Sequence, residues 1–263
     1  MRITSAISKI AVVALLACLL ARNAWAANPP APSDLVKAEL VAEASAIAAG
    51  ETLWLDLHLQ IRPGWHIYWR NPGDSGLPTE IDWHLPAGFS AGSISWPVPE
   101  HFVQNGIGNY GYAGETDLLV PIALPKDLAA GQTVDLDAEA SWLACADICI
   151  PGGAKLRLSL PSAAQSPRPD PAVASLFAAA RQKLPIPAPF ETRFTTGAHD
   201  FRVLVPATAV NGLSNPAAMF FPFRETLVDA AARPRVEHHS DTLEFVLPKS
   251  SADAAVRRHW MAC

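Results

Sequence analysis

Hydrophobic and polar residues alternate along the first part of the chain, up to about residue 160, with the two-residue period of a β-strand. The clearest segment runs from Leu53 to Ile61, where leucine or isoleucine occupies every odd position. Asp56, His58 and Gln60 fall on the other face. The alternation therefore predicts a strand with one apolar face.

A second long strand is predicted over residues 134–142, where apolar residues alternate with Asp135, Asp137 and Glu139. If the alternation continues, Cys145 leaves this strand on the exposed face, which suits a thiol that a partner can reach.

Further strands are predicted from shorter alternating or apolar segments, at residues 36–42, 65–69, 80–84, 93–96, 118–124 and 155–160. This region has no long helical pattern. Many short strands at close spacing indicate an all-β fold, an antiparallel sandwich.

The pattern changes after residue 161. Residues 162–171 are rich in Pro, Ser and Ala and read as a linker. Asp170 followed by Pro171 is typical of a helix start, and the helix should run to about Lys183, before Pro185. Helical spacing is seen at Val173, Leu176, Phe177 and Ala180.

Strand patterns return after this helix, at residues 191–195, 201–205, 218–221 and 242–247. They predict a second β domain over residues 190–263, after a linker with a helix at 162–189. Because an immunoglobulin-type sandwich needs ~100 residues, we expect this domain to be small or incomplete.

Residues 1–26 have the features of a secretory signal peptide. Arg2 and Lys9 form a basic start, residues 10–20 are apolar, and residues 24–26 (Ala-Trp-Ala) form a small-residue cleavage site. A lipoprotein cleavage box ending at Cys18 is the second-ranked interpretation. No later segment has the apolar length of a transmembrane helix.

Loss of residues 1–26 would remove three of the 20 basic residues (Arg2, Lys9 and Arg22) and none of the 25 acidic ones. The remaining chain would have a net charge of −8 from 17 basic and 25 acidic residues. An acidic, exported chain is a poor nucleic-acid binder, so we expect no nucleic-acid partner. Export also places the cysteines where disulfides form and persist.

The four cysteines are Cys18, Cys145, Cys149 and Cys263. In the mature body, Cys145 and Cys149 form the one plausible intrachain pair. A disulfide across so short a loop stabilises the fold by only roughly 2 kcal/mol, which favours a pair that cycles between redox states. A minor local staple and a metal site stay open as alternatives.

The residues between the two cysteines include Asp147 and no cationic side chain. A nearby carboxylate disfavours a thiolate, so this does not read as a strongly oxidising pair. We therefore expect a pair that is reduced by one protein and then reduces another. Two thiolates could instead hold Cu(I), but Cys-x-x-x-Cys alone supplies half a zinc site, and the histidines show no ligand spacing.

A second group of candidate residues is Glu100, His101 and Phe102, in a segment stiffened by Pro97 and Pro99. Glu100 and His101 could serve proton transfer, and Phe102 could cover an apolar sulfur pair. An ordinary surface loop is the alternative.

The glycine-rich residues 105–114 precede a strand rather than a helix, which argues against a phosphate-binding loop. They are expected to form a flexible hairpin. We assign no cofactor and no metal ligands.

Two motifs carry a family resemblance. Residues 142–151 (WLACADICIP) and 64–76 (GWHIYWRNPGDSG) resemble the N-terminal periplasmic domain of DsbD-family thiol:disulfide interchange proteins. The closer match is to the ScsB-like branch, named for suppression of copper sensitivity. The resemblance covers about residues 34–160, and the second β domain is in keeping with that branch.

The resemblance implies an immunoglobulin-like redox domain over residues 34–161. Cys149 would attack the disulfide of the partner, Cys145 would resolve, and Glu100, His101 and Phe102 would form a cap loop over the pair. The implied partners are the membrane electron-transfer domain of a DsbD-type protein and periplasmic thioredoxin-like oxidoreductases. A copper-binding or scaffold module without enzymatic activity is the alternative function.

Two departures from the family matter. Its best-studied members have more residues between the two cysteines, so the geometry of the cap need not transfer. They also continue into a membrane domain and a thioredoxin-like domain, which this chain lacks, and we expect a truncated product rather than a free-standing relay.

Overall fold

The computed structural model describes residues 34–210 and 219–250, which form fifteen strands and one α-helix. The predicted signal peptide and Cys263 lie outside the described residues. The elements are β1 (Val36–Ala42), β2 (Ile47–Ala48), β3 (Thr52–Ile61), β4 (His66–Gly73), β5 (Glu80–His84), β6 (Ser90–Ala91), β7 (Glu100–Gln104), β8 (Ile107–Ala113), β9 (Glu115–Ala123), β10 (Thr133–Cys145), β11 (Cys149–Ala163), α1 (Ala174–Gln182), β12 (Arg193–Thr196), β13 (Asp200–Pro206), β14 (Arg235–His238) and β15 (Thr242–Pro248).

The first eleven strands form two mostly antiparallel sheets packed as an immunoglobulin-like sandwich, which confirms the predicted fold class. One sheet has the order β1-β3-β9-β6. The other has the order β2-β11-β10-β4-β8-β7, with β5 paired to β10. The predicted apolar face of β3 enters the core, where Leu55, Leu57 and Leu59 are at most 1% exposed.

The helix α1 covers the middle of the opposite face of β3. On that face, Thr52 and Gln60 at the two ends of the strand stay exposed. Phe177 and Ala180 of α1 are fully buried and pack with Trp54 and Leu119 on the sheet. Arg181 also forms a bidentate ion pair with Glu43, at 2.6 and 2.7 Å. The helix predicted from sequence is therefore part of the packing of the sandwich rather than a free connector.

The helix start differs from the prediction. Asp170 accepts a hydrogen bond from the backbone N–H of Ala172 at 2.9 Å, but this caps an isolated turn. The α-helix itself begins at Ala174 and ends at Gln182, close to the predicted end at about Lys183.

A third, antiparallel sheet has the order β12-β13-β15-β14 and lies in the predicted second β domain. The segment before β14 packs on the sandwich: the ring of Phe221 contacts Trp69 at 6.2 Å and Tyr110 at 5.4 Å between centroids. The amide of Asn71 donates to the carbonyl of Pro222 at 2.7 Å. These contacts hold residues 221–222 against β4 and β8.

Two predicted strands need correction, and one observed strand of the second β domain was not predicted. Residues 93–96 form no strand, and only Ser95 makes a single bridge to Leu119. The part of 218–221 that the structure describes is not a strand either. The strand β14 at Arg235–His238 has only four residues, which is too short for a clear alternation of apolar and polar positions. Within residues 34–210 and 219–250, no helix is long and apolar enough to cross a membrane.

Candidate functional site

The cysteine pair closes the tip of the longest hairpin of the fold, formed by β10 and β11. Cys145 and Cys149 are the last paired positions of this ladder, and their Cα atoms are 4.1 Å apart. Their side chains form a disulfide. The backbone N–H of Ala146 donates to the carbonyl of Ile148 at 3.0 Å and tightens the three-residue loop between them. The register of the hairpin thus places the two sulfur atoms side by side.

The two cysteines differ sharply in exposure. Cys145 is only 2% exposed, whereas Cys149 is exposed. The sequence pattern predicted an exposed Cys145, and this was wrong. Its position on the outward side of β10 agrees with the alternation, but its cross-strand partner His66 projects to the same face and carries the stacked ring of Phe102, so side chains take the place of solvent.

Tyr68 on β4 is the polar side chain that comes close to the exposed sulfur. Its hydroxyl lies 3.7 Å from the Sγ of Cys149, and the residue is 2% exposed. Burial raises the pKa of the Tyr68 hydroxyl, so this group keeps its proton and can donate to sulfur.

His66 lies between Tyr68 and the hairpin β7–β8. Its ring meets Tyr68 edge-on at 5.3 Å between centroids, and its Nε2 is buried without a hydrogen-bond partner among the described residues. Burial lowers the pKa of His66, which favours the neutral imidazole. On the side of β4, the surroundings of the pair are therefore aromatic and uncharged.

The segment predicted as a loop and a flexible hairpin is an ordered β-hairpin. Asn105 and Gly106 form its turn with positive φ angles of 53° and 79°, as Asn-Gly hairpin turns require. Alternation along β7 divides the three predicted cap residues between the two faces of this hairpin.

Phe102 is the cap residue that the structure places beside the cysteine site. Its ring stacks on His66, with centroids 4.8 Å apart and planes inclined by 17°. On the same face of β7, Gln104 donates to Asp147 Oδ1 at 3.1 Å, inside the loop between the cysteines. Glu100 is exposed, and its Oε1 lies 3.4 Å from the backbone N–H of Ala113.

His101 faces the other way. Its Nε2 donates to the carbonyl of Ala230 at 2.6 Å, and its ring lies 5.7 Å from that of Tyr110. The structure therefore brings Cys145, Cys149 and Phe102 into one neighbourhood, and directs His101 to the segment that precedes β14.

Tyr68, His66 and Gln104 were not singled out from the sequence. Tyr68 and His66 lie within the second family-like motif, residues 64–76, and share one face of β4 because they are two positions apart. That motif was the available signal. No signal pointed to Gln104, because its partner Asp147 is 43 residues away.

Exposed apolar side chains surround this end of the molecule. Ile148, in the loop between the cysteines, is 55% exposed, and Val103 and Ile107 at the end of the hairpin β7–β8 are 51% and 45% exposed. An exposed sulfur with exposed apolar neighbours suits a site that another protein covers while it exchanges a disulfide.

Comparison with known proteins supports this chemistry. Residues 33–161 match the family model of the N-terminal part of the thiol:disulfide interchange protein DsbD. The fold resembles the crystal structure of the N-terminal periplasmic domain of ScsB from Proteus mirabilis, with a TM-score of 0.54 and 19% identity over 83% of this chain and 81% of that one. At this identity the likeness concerns the fold.

A second solved structure shows a much weaker likeness. The sporulation control protein Spo0M from Bacillus subtilis gives a TM-score of 0.24 and 12% identity, over 65% of this chain and 78% of that one. No curated protein matches the chain.

Proposed function

Since this chain belongs, through residues 33–161, to the family of DsbD N-terminal domains, we propose that it relays electrons through Cys145 and Cys149 to periplasmic thioredoxin-like oxidoreductases, as a member of the ScsB-like branch. Thiol:disulfide interchange follows from the family and from the disulfide in the structure. The direction of transfer, the individual partners and the periplasmic location are the proposed part.

The observation that carries the proposal is the difference in exposure between the two sulfur-bearing residues. Because Cys149 is exposed and Cys145 is buried, an incoming thiolate can reach only the sulfur of Cys149. Cys149 is thus the exchanging cysteine, and Cys145 the resolving one, in agreement with the roles that the family resemblance implies.

The reducing half of the cycle then runs in two steps. The Cys149 thiolate attacks one sulfur of the disulfide of the partner, which forms a mixed disulfide and releases one partner thiolate. The Cys145 thiolate next attacks the Sγ of Cys149, which restores the intrachain disulfide and releases the second partner thiolate. The pair loses two electrons, the partner gains them, and two protons complete its dithiol.

Reduction of the Cys145–Cys149 disulfide runs the same steps in reverse. One thiolate of the membrane electron-transfer domain of a DsbD-type protein attacks the Sγ of Cys149, and Cys145 leaves as the first thiolate. The second thiolate of that domain then resolves the mixed disulfide, and Cys149 leaves as the second thiolate. Tyr68 is placed to donate its hydroxyl proton in a hydrogen bond to the Cys149 sulfur as it gains charge. Of the three residues expected to form the cap, Phe102 shields the site in this proposal, Glu100 lies on the same face of β7, and His101 anchors the hairpin β7–β8 to the segment before β14.

The domain organisation is part of the same proposal. A signal peptide at residues 1–26 exports the chain, the redox domain spans residues 34–161, the linker with α1 spans 162–189, and the second β domain spans 190–263.

The test is a redox equilibrium of the purified chain against a glutathione series, read by thiol alkylation and mass, with Cys18 and Cys263 replaced by Ser. We expect Cys145 and Cys149 to titrate reversibly as one two-electron couple. Cys145→Ser should trap a mixed disulfide with a thioredoxin-like partner, and Cys149→Ser should trap none. A pair that resists reduction throughout the series would be a structural disulfide and would overturn the proposal.

A further inference from the structure

A polar cluster lies beneath α1, on the outer face of the sheet that contains β3 and β9. Asp56 and His58 are two positions apart on β3, and so lie on the same face. Asp117 of β9 is the direct cross-strand partner of His58. The potential ligand atoms of these three residues all lie within 4.8 Å of one another.

Asp56 is the unusual member of this cluster. It is 0% exposed, and neither of its carboxylate oxygens has a hydrogen-bond partner within residues 34–210 and 219–250. Burial of an ionised carboxylate without a partner costs several kcal/mol, so such groups are normally paired, protonated or bound to a metal ion. The carboxyl group of Asp56 must therefore either keep its proton or lie next to a cation.

The other two residues are already held in place. The Nδ1 of His58 donates to Asp117 Oδ1 at 2.8 Å, and the ammonium of Lys183 donates to Asp117 Oδ2 at 3.0 Å. One ammonium group next to two carboxylates leaves one negative charge uncompensated. A proton or a cation could compensate Asp56, and the close approach of three potential ligand atoms is the observation that favours a cation.

We propose that Asp56, His58 and Asp117 bind one divalent transition-metal ion, with Zn²⁺ as the representative. Imidazole nitrogen and carboxylate oxygen are ordinary ligands of this class of ion. The Nδ1 of His58 already points at Asp117, so the ion would take the place of the proton that now joins them. The proposal does not depend on the chemistry of the cysteine pair.

The second shell of the cluster suits this assignment. The Nε2 of His58 lies 3.3 Å from the side-chain amide of Gln60. When a metal ion occupies one imidazole nitrogen, the other usually carries a proton and donates it to a neighbouring acceptor. Rotation of the Gln60 amide would present its oxygen for this bond, since amide orientation is interchangeable.

An ion can reach the cluster at one side. The side chains of Asp117 and His58 are 5% and 13% exposed, whereas that of Lys183 is 42% exposed. The Lys183 side chain is flexible enough to move aside. Because Lys183 follows α1 directly and Asp56 lies on the sandwich, a bound ion would also strengthen the attachment of the helix to the sheet.

A second group of similar composition provides a matched control. Glu237, His239 and Glu244 also bring three potential ligand atoms within 4.8 Å of one another. There, however, Glu244 receives hydrogen bonds from Arg202 and His239, both at 3.2 Å. Because its buried carboxylate is paired, this group has no need of a metal ion.

The experiment is a titration of the purified full-length chain with Zn²⁺ by isothermal calorimetry. The Cys145–Cys149 disulfide is kept oxidised, and Cys18 and Cys263 are replaced by Ser so that no thiol competes. We expect one ion per chain and an increase in melting temperature with Zn²⁺, since a ligand that binds only the folded state stabilises it. Asp56→Asn should weaken binding by about tenfold or more.

His239→Gln is the control and should leave both the affinity and the thermal shift as in the parent chain. His58→Gln provides a second loss-of-ligand variant if Asp56→Asn does not fold. The proposal is overturned if the parent chain binds no Zn²⁺, or if the Asp56 and His58 variants bind it as tightly as the parent. Asp56 would then be neutralised by a proton.

Discussion

The hydroxyl of Tyr68 lies 3.7 Å from the Sγ of Cys149, the exposed member of the disulfide. These residues are 81 positions apart, and β4 brings the tyrosine under the tip of the β10–β11 hairpin. A buried hydroxyl next to an accessible sulfur is a means to stabilise the thiolate that forms during exchange.

Replacement of this hydroxyl should therefore raise the pKa of the Cys149 thiol. Hydrogen bonds to charged groups contribute ~1.5 kcal/mol or more, so Tyr68→Phe should raise that pKa by about one unit. The pH dependence of alkylation of the reduced protein measures it. Tyr112→Phe is the control. The Tyr112 hydroxyl donates to the carbonyl of Pro97 at 2.9 Å, so its removal should affect stability alone. Equal thiol pKa values in the Tyr68 variant and the parent would contradict the assignment.

The stacking of Phe102 on His66 predicts a shielding effect on the disulfide. An aromatic pair contributes ~0.5–1.5 kcal/mol beyond its buried area, so Phe102→Ala should accelerate reduction by dithiothreitol by up to about tenfold. Val103→Ala is the matched control, because it lies on the other face of the same strand. Identical reduction rates in Phe102→Ala and the parent would show that Phe102 does not limit access.

The close approach of Gly108 to the segment before β14 predicts that this position does not accept a side chain. A Cβ atom at Gly108 would lie 2.0 Å from the carbonyl carbon of Ala230. Gly108→Ala should therefore destabilise the fold by about 1–3 kcal/mol, because Ala230, which also accepts the hydrogen bond from His101, must move.

Urea unfolding measures this loss of stability. Gly106→Asn is the control, because nothing lies within 4 Å of a Cβ atom there and asparagine tolerates its positive φ of 79°. A Gly108 variant as stable as the parent would mean that the segment before β14 is not held against the hairpin β7–β8.

Buried tyrosines predict a loss of stability at alkaline pH. Burial, with smaller contributions from Asp74 and Asp229, raises the pKa of Tyr110 from 10.0 to about 12. Between these two values the unfolded chain releases the Tyr110 proton and the folded chain keeps it. The stabilising contribution is thus complete below pH 10 and is lost as the pH rises toward 12.

Each such group contributes a slope of up to about 1.4 kcal/mol per pH unit in this window. Urea unfolding at pH 9 to 11 should show the decline, and Tyr110→Phe should reduce its slope by roughly that amount. Because burial also raises the pKa of Tyr68 and Tyr112, some decline should remain in this variant. A slope that the substitution leaves unchanged would contradict the raised pKa.

Several features were determined by the sequence alone. The sequence pattern identified β1, β3 and β5 nearly to the residue, and β9 and β10 to within three residues at each end, because a strand between a core and another layer needs an apolar residue at every second position. The pairing of Cys145 with Cys149 also followed from the sequence, since no other cysteine lies in the body of the chain. The two motifs around residues 64–76 and 142–151 were sufficient to identify the family.

The exposure of each site residue was decided by the tertiary structure. Alternation reports which side of a strand a residue occupies, but not what covers that side. Cys145 occupies the predicted side, but its cross-strand partner His66 and the stacked ring of Phe102 lie on that side, and Asp56 is buried because α1, more than a hundred residues later, packs on its face. His101 contacts Ala230 because the chain returns to the sandwich before β14.

The physical reason for this division is the separation along the sequence of the residues that interact. Strand periodicity, turns and short disulfide loops depend on residues close in sequence, where steric and hydrogen-bonding preferences act directly. Burial, charge compensation and the placement of Tyr68 next to Cys149 depend on contacts between distant segments, which form only when the sheets, the helix and the second β domain pack together.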